Sequence, residues 1–531
     1  MNKLKIHGLQ QKALSSLGKY LFMMVLAFLA VSCSKKVEVT GKVTGGSPLE
    51  RIEFTEASGV ATLPVINMGV DKAGNFKGDF EAPKSGMYVI SYAGKQNLIY
   101  LKTGQSLNIT GDAATFPAEF KITGDAKGNN DFLQQTQKYM TEYTQKVNMQ
   151  DNMNKDEGAF LKALQKIQAD LEKNIDEVGK KTGADKEVIS WKKNDVRTGI
   201  MSIIPQYEMY RKQMTANPAF ANSKALKDYE LKLQEDKDTM VKEHPLYRNY
   251  LLGKMSEDFQ KYATAQTAGK TDMITSEVFS SYLKQRKDLS QTAKDYLLAF
   301  VMAQSDINPS STKETTDKVT SIIEKDIKDA EIKKDLKKVL FVLSGLKKGE
   351  AAPEAALIKQ DGKAYKIADS KGKPTVMMFY ASWTPYITES TVPILSQVVD
   401  FYKQKMNFVF VNFDDTKEQF NKTSSAMLKG IPGTNVYAEG GLNSDFAKKY
   451  GIYGFKLTPS FIVLDKDGKI AGRNFFNLGD PELVALLDQL SGLKAPQVAP
   501  EASLQNDLFA PEGELQPAEG STPPPPAPAT K

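Results

Sequence analysis

The reactive side chains of this 531-residue chain are few, and their number restricts the chemistry that it can perform. The chain contains one cysteine, Cys33, and two histidines, His7 and His244. A single cysteine cannot form an internal disulfide or carry a dithiol reaction alone, and zinc sites of the finger type need four cysteine or histidine ligands. A Ser-His-Asp or Cys-His catalyst would have to use His244. Because His244 precedes a proline, which favours a helix boundary, we expect it to be structural.

The residues before Cys33 predict that this cysteine carries lipid. Lysines precede an apolar run of about twelve residues, Tyr20–Val31, which is too short to cross a bilayer as a helix and is typical of a signal peptide. The segment Ala30–Cys33 resembles a bacterial lipobox. This resemblance implies a signal peptide over residues 1–32 and an acylated N-terminus over residues 33–36, anchored in the membrane through Cys33. The alternative is a cleaved secretory signal with an incidental cysteine.

Cleavage before Cys33 changes the charge of the protein. It removes four lysines, so the formal net charge falls from +6 to about +2, and charge gives no reason to expect a nucleic-acid partner. No phosphate loop of the G-x-x-x-x-G-K-[ST] type occurs. We therefore expect no cofactor, and no small-molecule substrate is evident.

Two acidic segments are candidates for a metal site. The pair Asp414-Asp415 at a strand end could bind a metal, but such carboxylates more often cap the following helix, here predicted over 416–428. The segment Asp465–Gly468 has no glutamate at the spacing that closes a calcium loop, so a hairpin turn is favoured. The sequence thus predicts no metal site.

The first two regions of the mature chain differ in pattern. Residues 37–125 contain short alternating runs separated by turns, which predict a small β-sandwich or barrel. Residues 127–348 repeat apolar side chains at helical spacing, which predicts seven to nine helices in a bundle or irregular array. Breaks are predicted at Gly183, Pro205, Pro218, Pro245 and Asn308-Pro309. The aromatic segments Tyr207–Tyr210 and Tyr247–Tyr250 fit core packing better than a partner surface.

The C-terminal third predicts an α/β domain and a tail. Within residues 349–495, the runs Val376–Tyr380 and Phe408–Phe413 are continuously apolar, as in buried strands of a parallel sheet. Residues 496–531 are rich in proline and polar residues, so we expect an extended, disordered segment that is a spacer or a docking segment. The predicted fold class is a multidomain α+β protein with a β-sandwich-like domain, a central α-helical array and a C-terminal α/β domain.

The C-terminal domain resembles a known family at two motifs. The segment Ala381–Ile387 and the later segment Leu457–Asp465 resemble the thioredoxin-like envelope oxidoreductases of the TlpA and AhpC/TSA branch. This resemblance implies a thioredoxin-like fold, with Pro459 as its cis-proline. Thr384 and Ile387 stand at the two cysteine positions of the family motif. Residues 37–125 likewise resemble a β-rich domain of unknown function that precedes such domains in Gram-negative envelope lipoproteins.

The substitutions at the motif argue against redox turnover. Thiol–disulfide exchange needs a thiolate nucleophile, which neither Thr384 nor Ile387 can supply. Glu389 and Pro393 also fall near, but not on, the acid and proline positions of the family. The motif can still form a peptide-binding groove, but the favoured interpretation of Trp383 and Pro459 is that they complete the fold. The residues of this groove are Trp383, Pro385, Tyr386, Thr458 and Pro459.

These features favour a membrane-anchored envelope lipoprotein with a redox-inactive thioredoxin-like domain. We expect it to act as a scaffold or binding subunit with other envelope proteins as partners. Two alternatives are a thiol-disulfide oxidoreductase, by family resemblance, and a periplasmic chaperone-like binder. No aspartate follows Cys33, so we expect an outer-membrane anchor and a body that faces the periplasm.

Overall fold

The computed structural model describes residues 36–60, 63–82, 84–269, 272–308, 311–384, 391–453, 461–475 and 477–496. Within these ranges the chain forms a β domain, a helical domain and an α/β domain, in that order. The predicted fold class is confirmed. Cys33 and the segment 497–531 lie outside the described residues.

The N-terminal domain is a sandwich of two four-stranded sheets, with strand orders β4-β1-β7-β8 and β3-β2-β5-β6. Its strands are β1 (Lys36–Thr44), β2 (Arg51–Glu56), β3 (Ile66–Gly69), β4 (Asn75–Glu81), β5 (Gly86–Tyr92), β6 (Lys95–Leu101), β7 (Ser106–Asp112) and β8 (Lys121–Gly124). Along β1, Val37 and Val39 are buried while Glu38 and Thr40 are exposed. This period of two turns one face of each strand towards the shared core between the sheets.

The central domain contains eleven helices among the described residues, more than the seven to nine that the sequence predicts. They are α1 (Lys127–Lys146), α2 (Met149–Asn154), α3 (Glu157–Thr182), α4 (Lys186–Met214), α5 (Lys224–Lys232), α6 (Lys237–Glu243), α7 (Pro245–Thr267), α8 (Thr275–Gln285), α9 (Gln291–Ser305), α10 (Lys313–Lys325) and α11 (Ala330–Ser344). Short helices such as α2 and α6 account for the difference. Side-chain oxygens begin several of them, as Asp156 does by accepting a hydrogen bond from the backbone N–H of Ala159.

The predicted break at Pro205 is wrong, because α4 continues through it. Proline removes one helical hydrogen bond and crowds the preceding turn. Here Met201, Ile204 and Tyr207 around that point are all buried in the domain core, and this packing offsets the local cost. Tyr207, Tyr247 and Tyr250 are buried in this core, which fits the core-packing interpretation, whereas Met209 of the first aromatic segment is 59% exposed.

The helical domain packs directly on the sandwich. Met87 and Tyr100 of the β domain belong to the same hydrophobic cluster as Phe132, Trp191 and other core residues of the helices. Within the described ranges, no helix combines the length and apolar character needed to cross a membrane.

The C-terminal domain is built on a seven-stranded sheet of order β10-β9-β13-β12-β11-β14-β15. Its elements are β9 (Leu357–Lys359), β10 (Ala364–Tyr365), β11 (Thr375–Tyr380), α12 (Thr391–Tyr402), β12 (Asn407–Asn412), α13 (Lys417–Met427), β13 (Thr434–Tyr437), α14 (Asp445–Tyr450), β14 (Phe461–Leu464), β15 (Ile470–Phe475) and α15 (Pro481–Ser491). Strands β11, β12 and β13 are parallel, whereas β14 and β15 are antiparallel to their neighbours.

Both faces of this sheet are covered, as the continuous apolar runs predict. All six residues of β11 are buried. Met377 and Phe379 point into one core cluster, whereas Val376 and Met378 point into a second cluster on the other face. This central strand ends at Tyr380, so it carries the predicted motif to the edge of the sheet.

Candidate functional site

The structure describes part of the predicted motif. Trp383 and Thr384 follow the end of β11, and Pro393 lies in the first turn of α12. The remaining predicted site residues lie outside the described residues, and so does Glu389. These residues are Cys33, Pro385, Tyr386, Ile387, Thr458 and Pro459.

Thr384, which the motif resemblance aligns with the first cysteine of the family, is 6% exposed and holds its own turn together. Its hydroxyl donates a 2.9 Å hydrogen bond to the backbone carbonyl of Ala381. Its backbone N–H donates to the same carbonyl at 3.1 Å. The hydroxyl thus stabilises the turn, and a threonine cannot supply the thiolate that disulfide exchange needs.

The carboxylate of Asp414, which is fully buried, also holds the motif in place. It accepts hydrogen bonds from the backbone N–H of Ser382 at 2.7 Å and from the side-chain amide of Asn412 at 3.0 Å. Burial, together with this neighbouring carboxylate, raises the pKa of the Tyr380 hydroxyl. Asp414 therefore links the ends of two central strands to the motif turn.

The expectation that Asp414 and Asp415 cap the next helix is wrong. Thr416 is the N-cap of α13, and it forms a capping box with Gln419. This local pair satisfies the helix end, which leaves both carboxylates available for contacts across the edge of the sheet.

Asp415 and Trp383 are both held by Arg51, which comes from the β domain. The Arg51 guanidinium donates two hydrogen bonds to the Asp415 carboxylate, at 2.7 and 3.0 Å. Its central carbon lies 4.1 Å from the centroid of the Trp383 ring. The Arg51 side chain is 9% exposed, so this planar ion pair and its cation–π contact are largely shielded from water.

Neighbouring backbone contacts extend this connection, which we call the Arg51 joint: Arg51, Asn67, Gly69, Trp383, Asp415 and Asn443. The Asn443 side-chain amide donates to the Asn67 carbonyl at 2.8 Å, and the Asn67 backbone N–H donates to the Asn443 side-chain oxygen at 3.3 Å. A Cβ atom on Gly69 would lie 2.0 Å from a carboxylate oxygen of Asp415. Glycine is therefore what permits this close approach.

A second arginine connects the helical domain to the β domain. Arg248 of α7 is fully buried. It donates to the carbonyls of Val241 and Lys242 in its own domain and to those of Ser58 and Gly59 in the β domain. Burial lowers its pKa to about 10.

A third arginine connects the α/β domain to the helices. Arg473 of β15 donates to the carbonyls of Val342 at the end of α11 and of Tyr450. Gly345 follows α11 with φ +67°, and a Cβ atom there would overlap the Arg473 guanidinium. The chain has six arginines in all. Three of them, Arg51, Arg248 and Arg473, each donate hydrogen bonds to a different domain.

The sequence analysis missed Arg51, Asn67, Asp415 and Asn443 as members of one site. Arg51 and Asp415 are 364 positions apart, and neither stands in a motif. No signal in a single sequence pairs them.

The metal interpretations can also be checked against the structure. Among the residues that the structure describes, no group of three or more His, Cys, Asp or Glu side chains is arranged to hold a metal ion. The segment Asp465–Gly468 forms the predicted hairpin turn, in which the Gly468 N–H donates to the Asp465 carbonyl at 3.0 Å.

With this geometry established, comparison with known proteins defines the class of the C-terminal domain. Residues 347–481 match the Redoxin family. Together with the observed sheet, this match makes the C-terminal region a Redoxin domain of thioredoxin-like fold. The match covers this region of the chain and leaves the β and helical domains unassigned.

Particular relatives share the same region. A stretch of 68 residues is 40% identical to the chloroplastic thioredoxin-like protein HCF164 of Arabidopsis thaliana, which is 13% of this chain and 25% of that protein. The chain thus spans about a quarter of this relative. Over 128 residues it is 26% identical to the thiol-disulfide oxidoreductase ResA of Bacillus thuringiensis, covering 23% of this chain and 66% of that protein. Among solved structures, the thioredoxin domain of a thiol-disulfide oxidoreductase from Bacteroides vulgatus is 23% identical, covers 24% of this chain and 89% of that one, and has a TM-score of 0.22.

Proposed function

We propose that this protein is a membrane-anchored envelope lipoprotein whose Redoxin domain binds and positions instead of exchanging disulfides. In this role the protein is a scaffold or binding subunit of an assembly of envelope proteins. One observation carries the proposal most: the Arg51 joint. The edge that would carry the exchange chemistry in a thioredoxin-like enzyme is here bonded to the β domain through Arg51, Trp383 and Asp415.

The side chains at the motif support the absence of exchange. The attacking group in thiol–disulfide exchange is a thiolate, and a second thiol resolves the mixed disulfide. Thr384 is buried and bonded to Ala381, and the chain's one cysteine is Cys33. An exchange reaction would need a thiol from another molecule at an edge that the β domain already contacts.

The three interdomain arginines support a fixed body, as a scaffold requires. Arg51 joins the β and Redoxin domains, Arg248 joins the helical and β domains, and Arg473 joins the Redoxin and helical domains. Each guanidinium bonds to carbonyl or carboxylate oxygens that belong to a different domain, so relative motion of any pair of domains breaks charge-assisted hydrogen bonds. The body can thus hold binding surfaces in a constant arrangement.

The lipid anchor rests on the sequence around Cys33. The basic segment, the short apolar run and the lipobox-like residues 30–33 all point to acylation. Several acyl chains anchor a protein stably, since each buried CH₂ contributes about 0.8 kcal/mol. With no aspartate after Cys33, we place the anchor in the outer membrane and the body in the periplasm.

A disulfide-reduction assay on the purified protein tests the catalytic part of this proposal. We expect insulin reduction with dithiothreitol to proceed at the rate of a Trp383→Ala variant and of denatured protein. Turnover clearly above both controls would instead support the thiol-disulfide oxidoreductase alternative.

A second experiment tests the binding part. Crosslinking of the native lipoprotein in intact cells, followed by affinity purification and mass spectrometry, should recover a defined set of envelope proteins. Recovery of the free monomer alone would contradict the scaffold role. Mass spectrometry of the N-terminal peptide tests the anchor directly, because acylation adds the mass of the lipid to Cys33.

A further inference from the structure

The predicted anchor lies very close to the first strand. If Cys33 carries the lipid, as the proposed function holds, only Ser34 and Lys35 separate it from Lys36, where β1 begins. Three Cα-to-Cα steps reach at most about 11 Å. The polar headgroup region of each leaflet is itself about 5–8 Å thick. The sandwich therefore cannot stand away from the bilayer, and the end of β1 at Lys36 must lie near its surface.

The strand register identifies the other residues at this end of the sandwich. Lys36 pairs with Glu81 at the end of β4, and Glu38 pairs with Ser106 at the start of β7. Leu107 next to that start pairs with Gly124 at the end of β8. We call this the proximal end, defined by Lys36, Glu81, Ser106 and Gly124, all four of which are exposed.

The opposite, distal end is defined in the same way. Lys42 pairs with Asn75 at the start of β4, and Thr44 pairs with Asp112 at the end of β7. The turn 71–75 belongs to this end. At about 3.3 Å per residue, the nine residues of β1 separate the two ends by about 26 Å.

The Arg51 joint lies towards the distal end. Arg51 pairs with Gly69, the last residue of β3, which leads into the turn 71–75. Gly69 is also where the Asp415 carboxylate approaches. The Redoxin domain is thus attached to the sandwich on the side away from the anchor.

We propose that the proximal end rests on the surface of the phospholipid bilayer and that the Arg51 joint is held about 25 Å above this surface. Two lysines at the proximal end are paired with acids: Lys36 with Asp79 at 2.7 Å, and Lys102 with Asp185 of the helical domain at 3.7 Å. Each pair neutralises its own lysine, so we expect the short tether to Cys33 to set the orientation without anionic lipid.

Site-directed fluorescence quenching tests this orientation in the full acylated protein. Glu81→Cys places a label at the proximal end, and Lys72→Cys places one in the distal turn. Both side chains are exposed, so the two variants are matched. Because Cys33 is acylated in the proposed state, each variant has a single free thiol. The labelled lipoproteins are reconstituted into phosphatidylcholine vesicles whose headgroups carry a nitroxide quencher.

The expected result is loss of fluorescence at position 81 and no loss at position 72, with or without added phosphatidylglycerol. Equal quenching at the two positions, or stronger quenching at position 72, would overturn the orientation. Intact-mass measurement on the same samples distinguishes a failure of the lipid anchor from a failure of the proposed orientation. Protein without acyl chains would remove the lipoprotein proposal itself, whereas acylated protein with the wrong quenching pattern removes the orientation alone.

Discussion

The Arg51 guanidinium lies 4.1 Å from the centroid of the Trp383 ring while it is paired with Asp415. Trp383 stands in the segment that resembles a thioredoxin active site, and Arg51 belongs to a different domain. A surface that could face a substrate is here a joint within one chain. This relationship, together with Thr384 and Ile387 at the predicted cysteine positions of the motif, supports the proposal that the Redoxin domain does not exchange disulfides.

The first prediction concerns the energy of this joint. Arg51→Ala, Asp415→Ala and the double variant should give a coupling free energy of about 1–3 kcal/mol in urea unfolding, because the pair is shielded and bidentate. The exposed pair Lys363–Asp361 is a matched control. We expect no measurable coupling there, since solvent screens exposed pairs. A coupling at Arg51 and Asp415 equal to that of the control would contradict the joint.

The second prediction concerns Arg248. Arg248→Met should lower the free energy of unfolding by about 3 kcal/mol, because the buried guanidinium is lost and four carbonyls, three of them partly buried, lose their donor. The control is Arg286→Met, which removes the more exposed pair with Asp288 and should cost no more than about 1 kcal/mol. Chemical denaturation of both variants at equal protein concentration makes the comparison. Similar losses of unfolding free energy in the two variants would contradict a stabilising role for the interdomain contacts of Arg248.

The third prediction concerns pH. His244 is 2% exposed and stacks on Trp191 at 4.8 Å. Burial lowers its pKa to about 4, with Arg248 and Lys192 lowering it further and Asp195 opposing them. The unfolded value is about 6.5, so the unfolded chain binds the proton first as the pH falls. This contribution to stability is complete above pH 6.5 and is lost as the pH falls towards 4, by at most about 3 kcal/mol.

His244→Phe keeps an aromatic ring against Trp191 and removes the titration. The difference in unfolding free energy between this variant and the parent should therefore change between about pH 7 and about pH 5, with the variant gaining relative stability in acid. Urea unfolding at both pH values measures it. A difference that is independent of pH would show that His244 does not titrate as its burial requires.

The fourth prediction concerns access to the motif. In a Cys33→Ser background, a thiol introduced by Thr384→Cys should react with a maleimide at least about tenfold more slowly than one introduced by Ser382→Cys. Thr384 is buried and Ser382 is exposed, and an opening that costs about 1.4 kcal/mol slows a reaction tenfold. Adding Arg51→Ala should accelerate the reaction at position 384 and leave position 382 unchanged. Equal rates in the two parent variants would contradict this account.

The sequence predicts the architecture well where local pattern determines it. The alternating residues of β1 and the continuous apolar run of β11 each give the correct type of strand, since burial on one face or on both leaves a direct record in the residue order. Pro205 shows the limit of this approach. Its local preference for a helix end is outweighed by the buried neighbours that α4 supplies.

The site is less predictable than the fold. The sequence itself shows Thr384 and Ile387 at the positions where the family resemblance predicts cysteines. The sequence does not show that Arg51 contacts the motif. Arg51 has the pattern of an ordinary strand residue, and Asp415 has that of a helix cap. Their contact depends on how two domains dock, and a single sequence carries no record of that.

The most direct test of the central claim is disulfide trapping across the Arg51 joint. A Cβ atom on Gly69 would lie 2.9 Å from Cγ of Asp415, so cysteines at these two positions place their sulfurs within bonding reach. The variant Gly69→Cys/Asp415→Cys in the acylated protein should form the crosslink nearly completely on mild oxidation, as peptide mass spectrometry would show. The control Lys72→Cys/Asp415→Cys should stay reduced. Two free and rapidly reacting thiols in the Gly69→Cys/Asp415→Cys protein would show that the β and Redoxin domains separate at this contact. That result would contradict the Arg51 joint as part of a fixed scaffold.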